Sequence, residues 1–158
     1  PPPLPPPAAA RPQELPVLPE LLRGYGLLAN YTYLTTEGNY GGTAERSSSE
    51  VARFVPRSAN AGLSYKRDRF SSRVLVNYVG EHLSSYSTDR SRLRYKMART
   101  LTNLSLNYQL RRGLTVYCDL NNLFQEPQRY YLGAGKSDRL QTYVDNGPSL
   151  NIGISGTF

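Results

Sequence analysis

The sequence predicts an all-β fold of antiparallel, up-and-down strands, about six in number, that form part of a large transmembrane β-barrel. Apolar and polar residues alternate with a period of two through much of residues 24–158, which places each kind of side chain on its own face of a strand. Long polar connections alternate with short turns, as in outer-membrane barrels. The polar positions are mainly Asn, Ser, Thr, Gly and Gln, which suit a hydrated lumen, so the apolar positions would face lipid.

The first two strands are predicted within residues 24–36 and from Pro56 to about Lys66, because both segments alternate. Residues 37–50 are rich in Gly, Ser and Glu and predict a long loop between these strands. Residues 67–69 predict a short turn at the opposite end.

The third strand is predicted from Phe70 to about Leu83, although its second face is mixed. A polar loop at residues 84–92 leads to the clearest alternation in the chain. In this fourth strand the two faces are formed by Leu104, Leu106, Tyr108 and Leu110 and by Asn103, Ser105, Asn107 and Gln109. Residues 111–113 predict a second short turn.

The fifth strand begins at Leu114, and Pro127 predicts a bulge near residues 125–128 because proline has no N–H to donate. Residues 133–137 predict a hairpin tip. The chain then returns, with a break near residues 147–148, to a final strand whose apolar face carries Leu150, Ile152, Ile154 and Phe158.

Composition agrees with strands that are apolar on one face only. The chain has 158 residues, a mean hydropathy of -0.52, 13 Tyr and no Trp. No run of about 20 apolar residues is present, so no transmembrane helix is predicted. Tyrosine has an apolar ring and a polar tip, which suit a membrane interface. Barrels closed by about eight strands have interiors filled with side chains, so small polar lumen positions predict a wider barrel with further strands.

The formal charge of +7 raises the question of nucleic acid, but the basic residues are scattered over turns and loops and form no stripe. We therefore expect no nucleic-acid partner. Cys118 is the single cysteine and His82 the single histidine, and no phosphate-binding loop or metal-ligand spacing is present. We expect no catalytic residue, no metal site, no cofactor and no enzymatic activity.

Several motifs resemble those of the C-terminal barrel strands of TonB-dependent outer-membrane receptors. They occur in the order and spacing of that family and extend from Leu15 to Phe158. The motifs are Leu18-Pro19, Leu22-Arg23-Gly24, Asn30-Tyr31-Thr32-Tyr33, Val55-Pro56-Arg57-Ser58, Leu63-Ser64-Tyr65, Asn77-Tyr78, Leu104-Ser105-Leu106-Asn107-Tyr108, Asn121-Asn122-Leu123-Phe124 and the terminal Phe158.

The resemblance implies an outer-membrane transporter of a Gram-negative bacterium that takes up a scarce nutrient, such as a siderophore, cobalamin or an oligosaccharide. It assigns residues 15–158 to the C-terminal strands of the barrel and residues 1–14 to a proline-rich leader that is disordered or not native to the receptor. The implied partners are outer-membrane lipid, the remaining N-terminal strands and plug of the receptor, a TonB-type energy-coupling protein that acts through the plug, and the barrel-assembly machinery. We expect that this segment alone does not transport.

Three sets of residues are candidates for functional positions. Phe158, with Ile154 and Ile152, would form the signal read by the barrel-assembly machinery. The residues expected to face the lumen are Arg73, Asn103, Asn107 and Asp119, which could instead hydrogen-bond to neighbouring strands. The residues expected to form an aromatic girdle at the membrane interface are Tyr65, Tyr78 and Tyr108.

An alternative from another class is a soluble or surface-exposed, basic, β-rich binding module. In such a module the apolar faces would pack against each other across two sheets, and the protein would stay in solution without detergent. The two hypotheses therefore differ in what covers the apolar face.

Overall fold

The structure is a computed structural model that describes residues 23–40, 48–133 and 139–157. Within these ranges the chain forms ten strands, one 3-10 turn at Arg90–Arg92 and no α-helix. The strands are β1 (Tyr25–Tyr33), β2 (Arg57–Arg67), β3 (Phe70–Val79), β4 (His82–Ser85), β5 (Arg94–Lys96), β6 (Arg99–Arg111), β7 (Leu114–Asn121), β8 (Gln128–Leu132), β9 (Arg139–Val144) and β10 (Ser149–Gly156). The prediction of an antiparallel all-β chain is confirmed.

Six of these strands form one open antiparallel sheet in the order β1-β2-β3-β6-β7-β10. Its strands have 8 to 13 residues, close to the 9 to 11 or so that cross a bilayer when tilted. Among the described residues β1 and β10 are each paired on one side only, so the sheet is not closed into a barrel.

The up-and-down order separates two kinds of connection at the ends of this sheet. Asp68 and Arg69 join β2 to β3, and Arg112 and Gly113 join β6 to β7. We call this the short-turn end. Asp68 and Gly113 have positive φ values of 49° and 79°, which let the chain reverse within two residues. The longer connections lie at the opposite end, which we call the long-loop end.

At the long-loop end the other four strands form a second antiparallel sheet in the order β4-β5-β8-β9. Each of these strands adjoins one strand of the large sheet in the chain: β4 follows β3, β5 precedes β6, β8 follows β7 and β9 precedes β10. The two sheets have the same order of these partners. The second sheet therefore continues four strands of the first after a short break in each.

The breaks correct two predictions of continuous strands. The prediction of one strand from Phe70 to about Leu83 is wrong, because the strand stops before Gly80 and a separate strand, β4, follows. A Cβ at Gly80 would lie 2.9 Å from the carbonyl oxygen of Arg57, and the Gly80 amide donates to that same oxygen. The close approach of β2 at this point requires glycine.

The bulge predicted near residues 125–128 is also a complete break, which starts earlier, at Asn122. Asn122 has a φ of 53° and is 7% exposed. Its side-chain oxygen accepts from the Glu126 amide at 2.9 Å, and its side-chain nitrogen donates to the Asn146 carbonyl. Asparagine tolerates the left-handed conformation better than most residues, so Asn122 turns the chain out of β7, and its side chain bonds to the connection between β9 and β10.

The described core is small and lies at the long-loop end. Leu83, Leu93 and Tyr95 are buried, and Ala52 and Tyr86 pack against them. The Tyr40 ring stacks on Tyr86 with centroids 3.7 Å apart, and the Tyr40 hydroxyl donates to the Glu50 carbonyl at 2.9 Å. The large sheet contributes no residue to this cluster.

Candidate functional site

The register of the large sheet divides its side chains into one apolar and one polar face. Directly paired residues share a face. One continuous row crosses all six strands and contains only aliphatic residues: Leu27, Leu63, Val74, Leu104, Leu120 and Leu150. The alternation predicted from the sequence therefore produces an aliphatic row that crosses the whole sheet, although the polar face also carries apolar residues such as Leu28 and Leu75.

The apolar face is exposed on β1, β2 and β10 and half-buried on the central strands β3, β6 and β7, apart from their residues at the short-turn end. Leu27 is 81% exposed, and Ile152 and Ile154 are each 68% exposed. Further exposed side chains on this face are Tyr25, Tyr31, Tyr33, Leu63, Phe70, Tyr108, Leu110 and Leu150. Soluble monomers rarely leave so large a contiguous apolar surface in water. Each of these side chains keeps more than a third of its surface exposed.

Aromatic residues lie near both ends of the apolar face. At the short-turn end Tyr65 pairs with Tyr25 at 4.7 Å between ring centroids and with Phe70 at 6.5 Å. Tyr108 is the direct cross-strand partner of Phe70. At the long-loop end lie Tyr78 and Tyr33. Phe70 and Tyr78 are eight residues apart on β3, about 26 Å at about 3.3 Å per residue, comparable with the apolar band of about 25 Å in membrane barrels.

All four residues expected to face the lumen lie on the polar face. Arg73 is paired with Ser105, which is paired with Asp119, so Arg73 and Asp119 are two strand spacings apart, about 10 Å. Asn107 is paired with Ser71 on β3 and Tyr117 on β7.

Asn103 differs from the other three because its side chain accepts a hydrogen bond from a backbone amide. Its Oδ1 accepts from the Asn122 amide at 3.1 Å, so it holds the break after β7. A second side-chain bond on the same face joins Asn60 Nδ2 to Asn30 Oδ1 at 2.9 Å. This face therefore combines strand-to-strand hydrogen bonds with polar groups that are open to water.

The mixed second face of β3 has a packing explanation. Leu75 is paired with Gly62, and Gly62 is paired with Leu28. A Cβ at Gly62 would lie 3.2 Å from Leu75 and 3.7 Å from Leu28, so the Leu75 side chain lies over the glycine, next to Leu28. Gly62 therefore makes room for an apolar side chain on the polar face.

The predicted assembly signal is only partly described. Ile152 and Ile154 lie on the apolar face of edge strand β10, paired with Cys118 and Val116 of β7. Phe158 lies outside the described residues, as do residues 1–14 of the predicted leader.

A cavity of about 580 Å³ at the long-loop end is lined by titratable side chains that lie far apart in the sequence. Its lining includes Glu37, Glu50, Glu81 and His82 together with Arg57. The His82 Nδ1 lies 3.0 Å from the carbonyl oxygen of Gly80. Within the described ranges no group of His, Cys, Asp and Glu side chains could hold a metal ion.

Sequence reasoning missed a cluster of cationic side chains at the short-turn end, because these residues are scattered along the chain. The up-and-down strand order brings six basic residues to the short-turn end of the sheet: Arg23, Lys66, Arg67, Arg69, Arg111 and Arg112. The signal was available, because the two predicted short turns carry four of these arginines and must lie at the same end.

The described residues contain no helix that is long and apolar enough to cross a membrane. A scan against protein-family models, a search of curated proteins and a search of solved structures found no match.

Proposed function

We propose that the large sheet is part of the wall of an outer-membrane β-barrel of the TonB-dependent receptor type, which takes up a scarce nutrient such as a siderophore, cobalamin or an oligosaccharide. The observation that carries the proposal is the continuous aliphatic row that crosses all six strands, exposed on β1, β2 and β10 and half-buried on β3, β6 and β7. A single-layered sheet with this face in water would aggregate, whereas hydrocarbon tails cover it without a second protein layer.

Strand geometry supports a membrane wall. The strands have the length needed to cross a bilayer, and aromatic side chains lie near both ends of the apolar face. Short turns lie at one end and longer connections at the other, the arrangement expected for the periplasmic and extracellular sides.

The polar face supports a wide, hydrated lumen. Its Arg73, Ser105 and Asp119 row and its Asn30 and Asn60 pair offer donors and acceptors to water or to a polar solute. The open edges of β1 and β10 would pair with further strands of the same receptor, because an uncovered sheet edge leaves backbone groups unpaired.

The receptor class itself rests on the motifs described above, from Leu15 to Phe158. In this proposal the partners are outer-membrane lipid, the remaining barrel strands and plug, an energy-coupling protein that acts through the plug, and the barrel-assembly machinery that reads the final strand. The location is the outer membrane of a Gram-negative bacterium, and the segment alone does not transport.

Membrane fractionation of the chain, secreted into the periplasm of a Gram-negative host, tests the proposal. We expect the protein in the outer-membrane fraction, resistant to alkaline carbonate extraction. Ile152→Asp should reduce this recovery, whereas Asn151→Asp on the opposite face of β10 provides a matched control and should leave it unchanged.

A monomer that remains soluble without detergent, with a cooperative unfolding transition, would overturn the proposal. It would favour the basic β-rich binding module instead, because the apolar face would then have to be covered by protein.

A further inference from the structure

The short-turn end carries a cationic rim, which we define as Arg23, Lys66, Arg67, Arg69, Arg111 and Arg112. All six residues are exposed. Backbone hydrogen bonds hold the rim together: Lys66 N donates to Gly24 O at 2.7 Å, and Gln109 N donates to Arg69 O at 2.8 Å. The rim follows the ends of neighbouring strands, which are about 4.8 Å apart. It is therefore a continuous surface.

Few acidic groups lie near five of the rim residues, namely Lys66, Arg67, Arg69, Arg111 and Arg112. Asp68 is the one acidic residue in the described part of this end, and it lies 3.9 Å from the Arg67 Nε with both side chains largely exposed. An exposed ion pair of this kind is weak. By contrast, the described long-loop end carries six acidic residues among its basic ones: Glu37, Glu50, Glu81, Asp89, Glu126 and Asp145. The described long-loop end has nine basic and six acidic residues, a formal charge of +3, whereas the described short-turn end has six basic residues and one acidic residue, a formal charge of +5. The excess of positive charge is therefore larger, and less mixed with acidic groups, at the short-turn end.

An open groove of about 390 Å³ joins the rim to the apolar face. It is lined by Tyr65, Phe70 and Tyr108 and by residues 67–69 of the turn. The Arg69 guanidinium donates to the Leu110 carbonyl at 3.4 Å, which holds the turn against the end of β6. Aromatic rings and guanidinium groups therefore meet where the apolar surface ends.

We propose that the cationic rim binds the headgroups of anionic phospholipids, and that the groove receives the glycerol and first acyl carbons of one such lipid. The inference rests on the proposed function, because it needs the apolar face to lie in a bilayer. Guanidinium groups match the geometry of phosphate oxygens, and amphipathic rings occupy the headgroup level.

The position of the aromatic rings favours lipid over nucleic acid. Single-stranded nucleic acids stack their bases on aromatic rings within a basic groove. Here Tyr65 is followed on its face of β2 by Leu63, and Phe70 is followed on β3 by Ser72 and then Val74, the cross-strand partner of Leu63. This gradient from cationic through aromatic to aliphatic matches the cross-section of one leaflet.

Flotation of the full chain with vesicles tests the proposal. One set consists of phosphatidylcholine and the other of equimolar phosphatidylglycerol and phosphatidylcholine. A basic residue near an anionic surface contributes about fivefold in binding, so Arg67→Gln with Arg69→Gln should lower the preference for anionic vesicles roughly thirtyfold. Arg111→Gln with Arg112→Gln should act similarly, and high salt should abolish the preference.

Arg90→Gln with Arg92→Gln provides the control, because it removes the same charge at the long-loop end. This variant should keep the preference within about twofold. An equal loss in the control would show a net-charge effect and overturn the site, and so would an unchanged preference in both rim variants.

A second measurement does not depend on insertion. With the chain held in zwitterionic micelles, added dihexanoyl phosphatidylglycerol should show a broadened phosphorus resonance, and the rim variants should remove this broadening. No broadening with the unaltered chain would overturn the inference.

The outcomes separate the inference from the proposed function. A chain that enters neither kind of vesicle contradicts the membrane wall. A chain that enters both equally contradicts only the lipid-binding rim. Single-stranded DNA that binds the rim and displaces phosphatidylglycerol from it would assign the surface to nucleic acid instead.

Discussion

An arginine placed at the centre of the apolar face tests what covers that face. Leu104 on β6 belongs to the aliphatic row that crosses the sheet. It lies four residues from Tyr108 at the short-turn end and four residues from Thr100, the cross-strand partner of Tyr78, at the long-loop end. Leu104 is therefore at the middle of the predicted bilayer.

The expected cost of Leu104→Arg follows from this depth. Arginine on the lipid face of a membrane barrel costs about 2 to 4 kcal/mol at the midplane and about 0 to 1 kcal/mol near the interface. The equilibrium constant for folding into vesicles should therefore fall by about thirtyfold to nearly a thousandfold. Tyr108→Arg, at the edge of the same face, should cost about 1 kcal/mol or less.

Ser105→Arg is the matched control, because its position is adjacent in the chain, at similar depth, on the polar face. It should change the folding free energy by less than about 0.5 kcal/mol. The assay is reversible denaturant unfolding of the vesicle-bound chain, followed by tyrosine fluorescence. Equal costs for Leu104→Arg and Tyr108→Arg, or a larger cost for Ser105→Arg, would refute the assignment of the faces.

Three further changes test the local structure. The Tyr117 ring occupies the space above Gly153, so Gly153→Ala should cost about 1 to 3 kcal/mol in denaturant unfolding, and Tyr117→Ala in the same chain should recover part of this loss. Asn122→Ala removes three side-chain hydrogen bonds at a residue with positive φ and should cost about 2 to 4 kcal/mol. Asn122→Gly should cost less, because glycine adopts a positive φ without strain. The hydroxyl and amide of Ser91 donate to the Asp89 carboxylate and lower its pKa below the usual 3.8. The turn should therefore be most protected above that pH and should lose protection as the pH falls through the lowered pKa. Hydrogen exchange of the Ser91 amide would measure this protection, and Asp89→Asn should remove its pH dependence.

Sequence alternation predicted the faces well where strands are long. In β6 the alternating run from Asn103 to Leu110 leaves only one register that keeps the leucines together. The same reasoning placed Arg73 and Asp119 on the polar face, because each follows the period of its own strand. The two short turns fixed the pairing of β2 with β3 and of β6 with β7, because a two-residue connection joins direct neighbours.

The second sheet was not predicted because its determinants are not local. β5 has three residues, too few for a periodic pattern, and its Tyr95 gains a partner only when β4 places Leu83 opposite it. The break at Gly80 depends on the approach of Arg57 from a distant part of the chain. The cationic rim likewise appears only when two turns about 40 residues apart are placed side by side.

Tryptophan scanning with two kinds of quencher tests the central claim most directly, because the chain contains no tryptophan of its own. Single Trp residues replace Leu104 and Ile152 on the apolar face and Ser105 and Asn107 on the polar face, in the vesicle-bound chain. The account predicts that brominated acyl chains quench the first pair and aqueous iodide quenches the second. Quenching of the first pair by iodide alone, or shielding of that pair from both quenchers, would contradict it.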